Sequence, residues 1–268
     1  MKTTLSCVCM MLGCALAAHG QFVAGCDVPF KAIQNAGLGI DTSCGIDGGS
    51  NDAAKKAESD AKNNFCVTGS ATPIAYDTFT KLEAAVSDQK RKDLKTDRGV
   101  VKNVVGTTGE GTLVKYVGFL LDAHVSNIKN GELVNCKTKG ADFNDIHIEL
   151  VNTAGEDDAC KSVTAEMSPH LRPDSWTGLP QLKIKRPVRI TGPLFFDGSH
   201  RACHDDKRPS PNRISVWEIH PVYQFEVCKK QTLADCKADS NAAWIPLDQW
   251  NSSDDTETDD EPAAPAPG

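Results

Sequence analysis

Two short motifs place histidine and glutamate two residues apart within segments of strand-like pattern. The first is His147-Ile-Glu149, and the second is Glu218-Ile-His220. Residues two apart on a strand project to the same side, about 6.5–7 Å from each other, so both side chains of a pair can reach one ion. Imidazole and carboxylate are the ligand types of zinc and related metals. The two motifs therefore supply four candidate metal ligands.

A metal held by these residues would make the protein a metal-dependent hydrolase. Metal-bound water is a nucleophile at neutral pH, and Glu166 or Asp145 is the candidate catalytic base. The predicted strand order sets the two motifs roughly 9–10 Å apart at the backbone. Side chains on the outside of a barrel also diverge. This geometry favours separate His–Glu contacts bridged by Glu166, on the solvated face of a sheet, over one four-ligand site. No cofactor is predicted; the alternative is zinc or a similar divalent metal.

Five segments with strand-like alternation must position these side chains, and two helical segments precede them. The first helix begins at Ser50 or Asn51 and carries an apolar stripe of Ala53, Ala57, Ala61 and Phe65. The second begins at about Asp77 and has Phe79, Leu82 and Val86 on one face. The basic segment after it, residues 89–103, is interpreted as a solvated linker rather than a basic binding patch. The predicted strands are 112–125, 144–151, 162–168, 185–196 and 214–228, and Pro221 in the last one marks an edge, a bulge or the end of pairing.

The order of these elements resembles that of an OB-fold, a five-stranded Greek-key barrel. Three strands, a short connection around Trp176 and two further strands fill about residues 108–230. The segments NDIHIEL and WEIHPV are similar to those of a group of uncharacterised exported bacterial proteins, which supplies no catalytic residues. The expected fold is α+β, with a helical N-terminal region and a five-stranded antiparallel OB-like barrel. The expected divisions are a signal peptide (1–20), a cysteine-containing helical region (21–105), the barrel (106–230), a C-terminal extension (231–250) and an acidic tail (251–268).

The loop between the last two predicted strands contains a second polar group, in DGSHRACHDD. Loops at this position of an OB-fold commonly contact ligands. His200, His204 and Asp205 are therefore candidates for a ligand-binding loop. The alternative is a polar loop tied by a disulfide of Cys203, since using that cysteine as a metal ligand would leave an odd number of thiols.

The first twenty residues have the layout of a secretory signal peptide. A loose lipobox makes Cys14 an alternative lipid anchor. The even number of later cysteines predicts up to four disulfides with 105 possible pairings, and a periplasmic or extracellular location. No membrane span is predicted after signal cleavage. The cysteines concerned are Cys26, Cys44, Cys66, Cys136, Cys160, Cys203, Cys228 and Cys236, and a local bridge between the last two is expected.

The charge distribution argues against nucleic acid as a partner. The net charge is −7, and residues 248–268 contain seven acids and no base, so the rest of the chain has no net charge. The expected outer face of the barrel offers Glu149, Glu166 and Glu218, which repel phosphate. Residues 251–268, acidic and then rich in alanine and proline, are expected to be disordered.

These observations favour a non-catalytic binding or envelope-associated module over an enzyme. Its partner would be an unknown ligand or envelope component. The metal-dependent hydrolase is the alternative, and it requires the two His/Glu motifs to converge.

Overall fold

A closed five-stranded barrel with three additional strands and few helices forms the protein, as seen in a computed structural model. The structure describes residues 48–65, 67–94, 97–204, 207–240 and 243–251. The helices are α1 (Ala53–Lys62), α2 (Tyr76–Ala84) and α3 (Asp88–Asp93). The strands are β1 (Thr72–Pro73), β2 (Leu113–Val125), β3 (Ile146–Val151), β4 (Val163–Met167), β5 (Pro187–Phe196), β6 (Trp217–Ile219), β7 (Gln224–Cys228) and β8 (Trp244–Pro246).

The barrel closes in the order β2, β3, β4, β6, β5 and back to β2. Four of these neighbouring pairs are antiparallel, but β4 and β6 run parallel. The prediction of a purely antiparallel barrel is therefore wrong. In a closed ring with an odd number of strands the directions cannot alternate all the way round, so one pair has to be parallel. Strand β1 adds to β2, while β7 adds to β5 and β8 to β7.

Alternation along the strands fills the barrel with apolar side chains, as the sequence pattern predicts. Strand β3 buries Ile146, Ile148 and Leu150, and β4 buries Val163 and Ala165 in the same core. The neighbouring positions on both strands point outward. The His and Glu residues of the two motifs therefore lie on the outside of the barrel.

The last predicted strand, 214–228, consists of two strands. Strand β6 ends at Ile219, Pro221 follows in the connection, and β7 begins at Gln224. Both pair with β5, at different positions. Proline lacks an N–H for the ladder, which agrees with pairing ending there.

Helix α1 confirms only part of the predicted apolar stripe, since Phe65, just after the helix, is buried and Ala61 is half-buried. Ala53 and Ala57 are exposed, and Ser59 is buried instead. The helix is capped by Asp52, whose side chain accepts from the Lys55 N–H. The alanine stripe is misleading because the surface beneath the helix is charged, so the helix buries a polar face.

The prediction for the second helix is confirmed, whereas the one for the basic segment is wrong. Helix α2 begins at Tyr76, which agrees with a start at about Asp77, and Phe79, Leu82 and Val86 are buried as predicted. The basic segment interpreted as a linker contains α3, which is capped by Ser87. The short connection around Trp176 is made of two 3-10 helices, Asp174–Trp176 and Leu179–Gln181.

Two disulfides join pairs of described cysteines. Cys160, just before β4, is bonded to Cys203 in the β5–β6 connection. The expected local bridge between Cys228 and Cys236 is confirmed, and Cys136 is also disulfide-bonded. Among the described residues no helix has the length and apolarity to cross a bilayer. The predictions for residues 1–20, the lipid anchor at Cys14, the acidic tail and Cys26, Cys44 and Cys66 concern segments outside the described residues.

Candidate functional site

The pairing of β3, β4 and β6 aligns the outward-facing polar residues in a row. His147 is opposite Glu166 across the β3–β4 ladder. Thr164 is opposite Glu218 across the parallel β4–β6 ladder. His220 follows directly after β6. The fold thus brings the two His/Glu motifs to the same outer face.

This part of the outer face is buried, so the interpretation as a solvated face is wrong here. Glu166 is 1% exposed, Glu218 0% and His220 1%. Helix α1 lies against it, with the side chain of Lys62 directed at Glu166 and the His220 ring in contact with the Lys62 backbone. We call Lys62, Glu132, Asp145, His147, Glu166 and His220 the buried cluster.

Glu166 is the centre of the buried cluster and bridges both histidines. Its Oε1 lies 3.0 Å from His147 Nε2, and its Oε2 lies 3.2 Å from His220 Nε2. The Lys62 ammonium is 2.7 Å from the same Oε2. Burial raises the pKa of the Glu166 carboxyl, but the His147 and Lys62 charges outweigh burial and hold the pKa well below its usual range. Glu166 is therefore a carboxylate surrounded by cations.

His220 has an acceptor at each ring nitrogen. Nδ1 is 2.7 Å from the Lys62 carbonyl oxygen, and Nε2 is 3.1 Å from Asp145 Oδ2. Nδ1 donates to the carbonyl oxygen, and in the imidazolium form Nε2 also donates, to the Asp145 carboxylate. Burial and the Lys62 charge lower the pKa of His220, but the contacts with Asp145 and Glu166 outweigh them and raise it to about 9. A cation at the last carbonyl of α1 also complements the helix dipole.

Glu132, from the β2–β3 connection, completes the buried cluster. Its carboxylate accepts from Ser126 Oγ, from Asn135 Nδ2 at 3.0 Å and from the Asp145 N–H at 3.0 Å. His147 Nε2 lies 3.5 Å from it. Burial raises the pKa of Glu132, but the contact with His147 and the Lys62 charge lower it to about 2.

Asp145, the other candidate base, is fully enclosed. The Lys62 ammonium is 3.8 Å from Asp145 Oδ2, and Asn135 Nδ2 is 3.2 Å from its Oδ1. Burial and the charge of Glu132 raise the pKa of Asp145, while His220 opposes them. Like Glu166, Asp145 is buried, and its carboxylate contacts Lys62, Asn135 and His220.

Glu218 belongs to a neighbouring ion-pair group and does not contact the histidines of the buried cluster. It accepts from Arg213, whose guanidinium also lies 3.4 Å from Asp197. Burial and the charge of Glu166 raise the pKa of Glu218 to about 7, although Arg213 opposes the shift. His200 contacts Asp197 at 2.5 Å and is part of this group.

The remaining loop candidates are not assembled into a pocket by these contacts. His204 is exposed and forms an isolated bridge with Lys207. Asp205 lies outside the described residues.

Glu149 lies at the other, open end of the same outer face. Across the β2–β3 ladder it is opposite Asp122, and His147 is opposite His124. His124 Nδ1 is 2.8 Å from Asp122 Oδ2. One ligand atom from each of Asp122, His124 and Glu149 lies within 4.8 Å of the others. We call these three residues the exposed triad. Of the four predicted ligands, the two histidines thus meet at Glu166, while Glu149 and Glu218 lie in separate groups.

Sequence patterns missed Lys62, Glu132, Asp122 and His124. Lys62 is the last residue of a helix, and Glu132 lies in an irregular connection, so neither is marked by periodicity. Asp122 and His124 do carry a signal, because they repeat the acid-x-His spacing of Glu218 and His220 on a predicted strand.

Asp145, Glu166 and His220 form a second set with ligand atoms within 4.8 Å, but its chemistry differs. The Lys62 ammonium supplies the positive charge there, and a doubly protonated imidazole has no lone pair for a metal. A catalytic metal site keeps an open position for water, whereas these side chains are enclosed. The arrangement stabilises α1 against the barrel.

The chain matches no family model, and searches of curated proteins and of solved structures also return no match.

Proposed function

We propose that the protein is a non-catalytic binding module built on an OB-type barrel. In support, the order of strands around the barrel is first, second, third, fifth and fourth along the chain, with the first beside the fourth. This order agrees with the Greek-key connectivity expected of an OB-fold. OB-folds bind ligands on the face of the second and third strands, between flanking loops. This corresponds here to the outer face of β3 and β4, where α1 covers the part around Glu166 and leaves the end around Glu149 partly exposed.

The observation that carries the proposal is the internal neutralisation of the buried cluster. Glu166 contacts Lys62, His147 and His220, and each contact is intramolecular. Residues used in this way cannot take a proton from a substrate or activate a metal-bound water without breaking the packing of α1. The cluster therefore acts as a structural ionic network, and ligand binding falls to the exposed parts of the barrel.

Export is part of the proposal. The Cys160–Cys203 and Cys228–Cys236 bridges support an oxidising compartment, the periplasm or the extracellular space. The body of the chain, without net charge outside residues 248–268, favours a partner other than nucleic acid.

Metal retention and stability together test this proposal. Residues 21–268 are produced in an oxidising compartment without a His tag and dialysed against a chelator. Wild type, His220→Gln and the control His204→Gln are compared by elemental analysis and urea unfolding. We expect no tightly held ion in any of them and a loss of stability in His220→Gln alone. A chelator-resistant ion in wild type that His220→Gln loses, with unchanged circular dichroism, would refute the proposal.

The second candidate, a metal-dependent hydrolase, rests on the short distances within Asp145, Glu166 and His220. It requires a metal to displace the Lys62 ammonium and the proton on His220 Nε2. It predicts zinc-dependent cleavage of model esters or phosphoesters that Glu166→Gln abolishes. Absence of cleavage in wild type with zinc present would exclude it for those substrates.

A further inference from the structure

We propose that the exposed triad, Asp122, His124 and Glu149, binds a divalent transition metal ion such as Zn²⁺. The site is distinct from the buried cluster. It supplies one imidazole and two carboxylates, a donor set that suits Zn²⁺ better than Mg²⁺ or Ca²⁺, which prefer oxygen ligands alone.

Paired strands hold the donors of the exposed triad in place. Asp122 and His124 are two residues apart on β2, and Glu149 is the cross-strand partner of Asp122. Sheet pairing fixes the backbone positions, so only side-chain rotations are needed to bring donor atoms that already lie within 4.8 Å onto one ion. Sites on strands are better preorganised than sites on loops.

The exposed triad combines two carboxylates with one histidine, and the contact of Asp122 is with His124. In the described part of the chain neither Asp122 nor Glu149 forms an ion pair with a lysine or arginine.

The buried cluster shows what this type of constellation requires. Asp145, Glu166 and His220 also combine two carboxylates with one histidine, and there the ammonium of Lys62 lies 2.7 Å from a carboxylate oxygen. At the exposed triad no described lysine or arginine forms an ion pair with a carboxylate, and the contact of Asp122 is with His124. A metal ion bound by the three donors would supply the positive charge that Lys62 supplies in the buried cluster.

The exposed triad is accessible to an ion from solvent. The side chains of Asp122 and His124 are 56% and 49% exposed. Three protein ligands leave a coordination position open for water or for a donor group of a bound partner. The site would therefore allow metal-dependent attachment of a partner to the barrel face.

Zinc titration of the full mature chain tests the proposal. Chelator-treated wild type, His124→Gln, Asp122→Asn and the matched control His204→Gln are titrated with ZnCl₂ by calorimetry, and with CoCl₂ by visible absorption. We expect saturable binding of one ion per chain in wild type and the control. The two triad variants should bind more than about tenfold more weakly, since loss of even an outer-shell partner costs 10–100-fold.

Two outcomes would overturn the proposal: no saturable binding by wild type, or equal affinity in His124→Gln and wild type. Circular dichroism of each variant checks folding, and both substituted residues are exposed. The two proposals can fail independently. The zinc titration tests the exposed triad, whereas the binding-module proposal is refuted only by a chelator-resistant ion that His220→Gln loses.

Discussion

The two ends of one barrel face differ in what covers them. The buried cluster and the exposed triad both combine histidine with two or more carboxylates. Over the buried cluster, α1 lies on the sheet and Lys62 neutralises Glu166 at 2.7 Å. Over the exposed triad no described element packs in this way, and Asp122 and His124 remain half exposed. Residue type alone therefore does not distinguish a structural ion network from a ligand site; the covering element does.

The largest effect should come from removing the cation of the buried cluster. Lys62→Met leaves Asp145 and Glu166 without it, and breaking a buried pair costs about 3–5 kcal/mol. Urea unfolding should show this loss, whereas the control Lys55→Met, on an exposed position of α1, should stay within about 0.5 kcal/mol. Equal effects of the two substitutions would mean that the cluster does not hold α1.

Alkaline pH should weaken the buried cluster. The pKa of His220 is raised from 6.5 to about 9, so the native state binds the proton more tightly than the unfolded chain. Its contribution is complete below about pH 6.5 and is lost as pH rises through about 9; the shift corresponds to roughly 3 kcal/mol. The free energy of unfolding, measured between pH 6 and 10, should fall accordingly in wild type. If the free energy of unfolding of His220→Gln falls equally between pH 6 and 10, groups other than His220 cause the loss of stability.

Zinc should stabilise the protein through the exposed triad. A ligand that binds only the native state at 100 times its Kd adds about 2.7 kcal/mol. Thermal unfolding with and without ZnCl₂ should show the gain in wild type and in Lys62→Met, but not in His124→Gln. A larger gain in Lys62→Met, with the gain retained in His124→Gln, would place the ion in the buried cluster, where the Lys62 ammonium competes with it.

A smaller effect should follow from loosening the chain just after α1. The Tyr223 hydroxyl donates to the Asn64 carbonyl and accepts from the Val67 N–H. Tyr223→Phe leaves both without this partner and should cost about 1–2 kcal/mol. Hydrogen exchange should rise in α1 more than in β3. Unchanged protection of α1 would show that Lys62 and His220 suffice to hold it.

Alternation of apolar residues predicted the strands well because the barrel interior is apolar. Ile146, Ile148 and Leu150 are buried, as their spacing indicates. The same reasoning was only partly right for α1, since its buried side contains Ser59 and Lys62 rather than Ala53 and Ala57. Hydrophobic periodicity carries information only where the buried partner surface is apolar. The parallel β4–β6 pair follows from strand parity, which no local pattern encodes.

The candidate site was predicted in part. The two histidine motifs and the bridging role of Glu166 follow from strand spacing and order. Their burial does not, because it depends on α1 and on the β2–β3 connection that carries Glu132. Both segments reach the face through long-range packing, for which a single sequence has no signal.

The bond between His220 and the Lys62 carbonyl joins residues 158 positions apart. Asp145 and Glu166 lie between them in the chain, so the buried cluster draws on widely separated segments. A chain made from its N-terminus cannot form the bond between the Lys62 carbonyl and His220 until β6 and the residue after it have been synthesised. Contacts of such long range slow folding. We therefore expect docking of α1 to be a late folding event that only the nearly complete chain can reach.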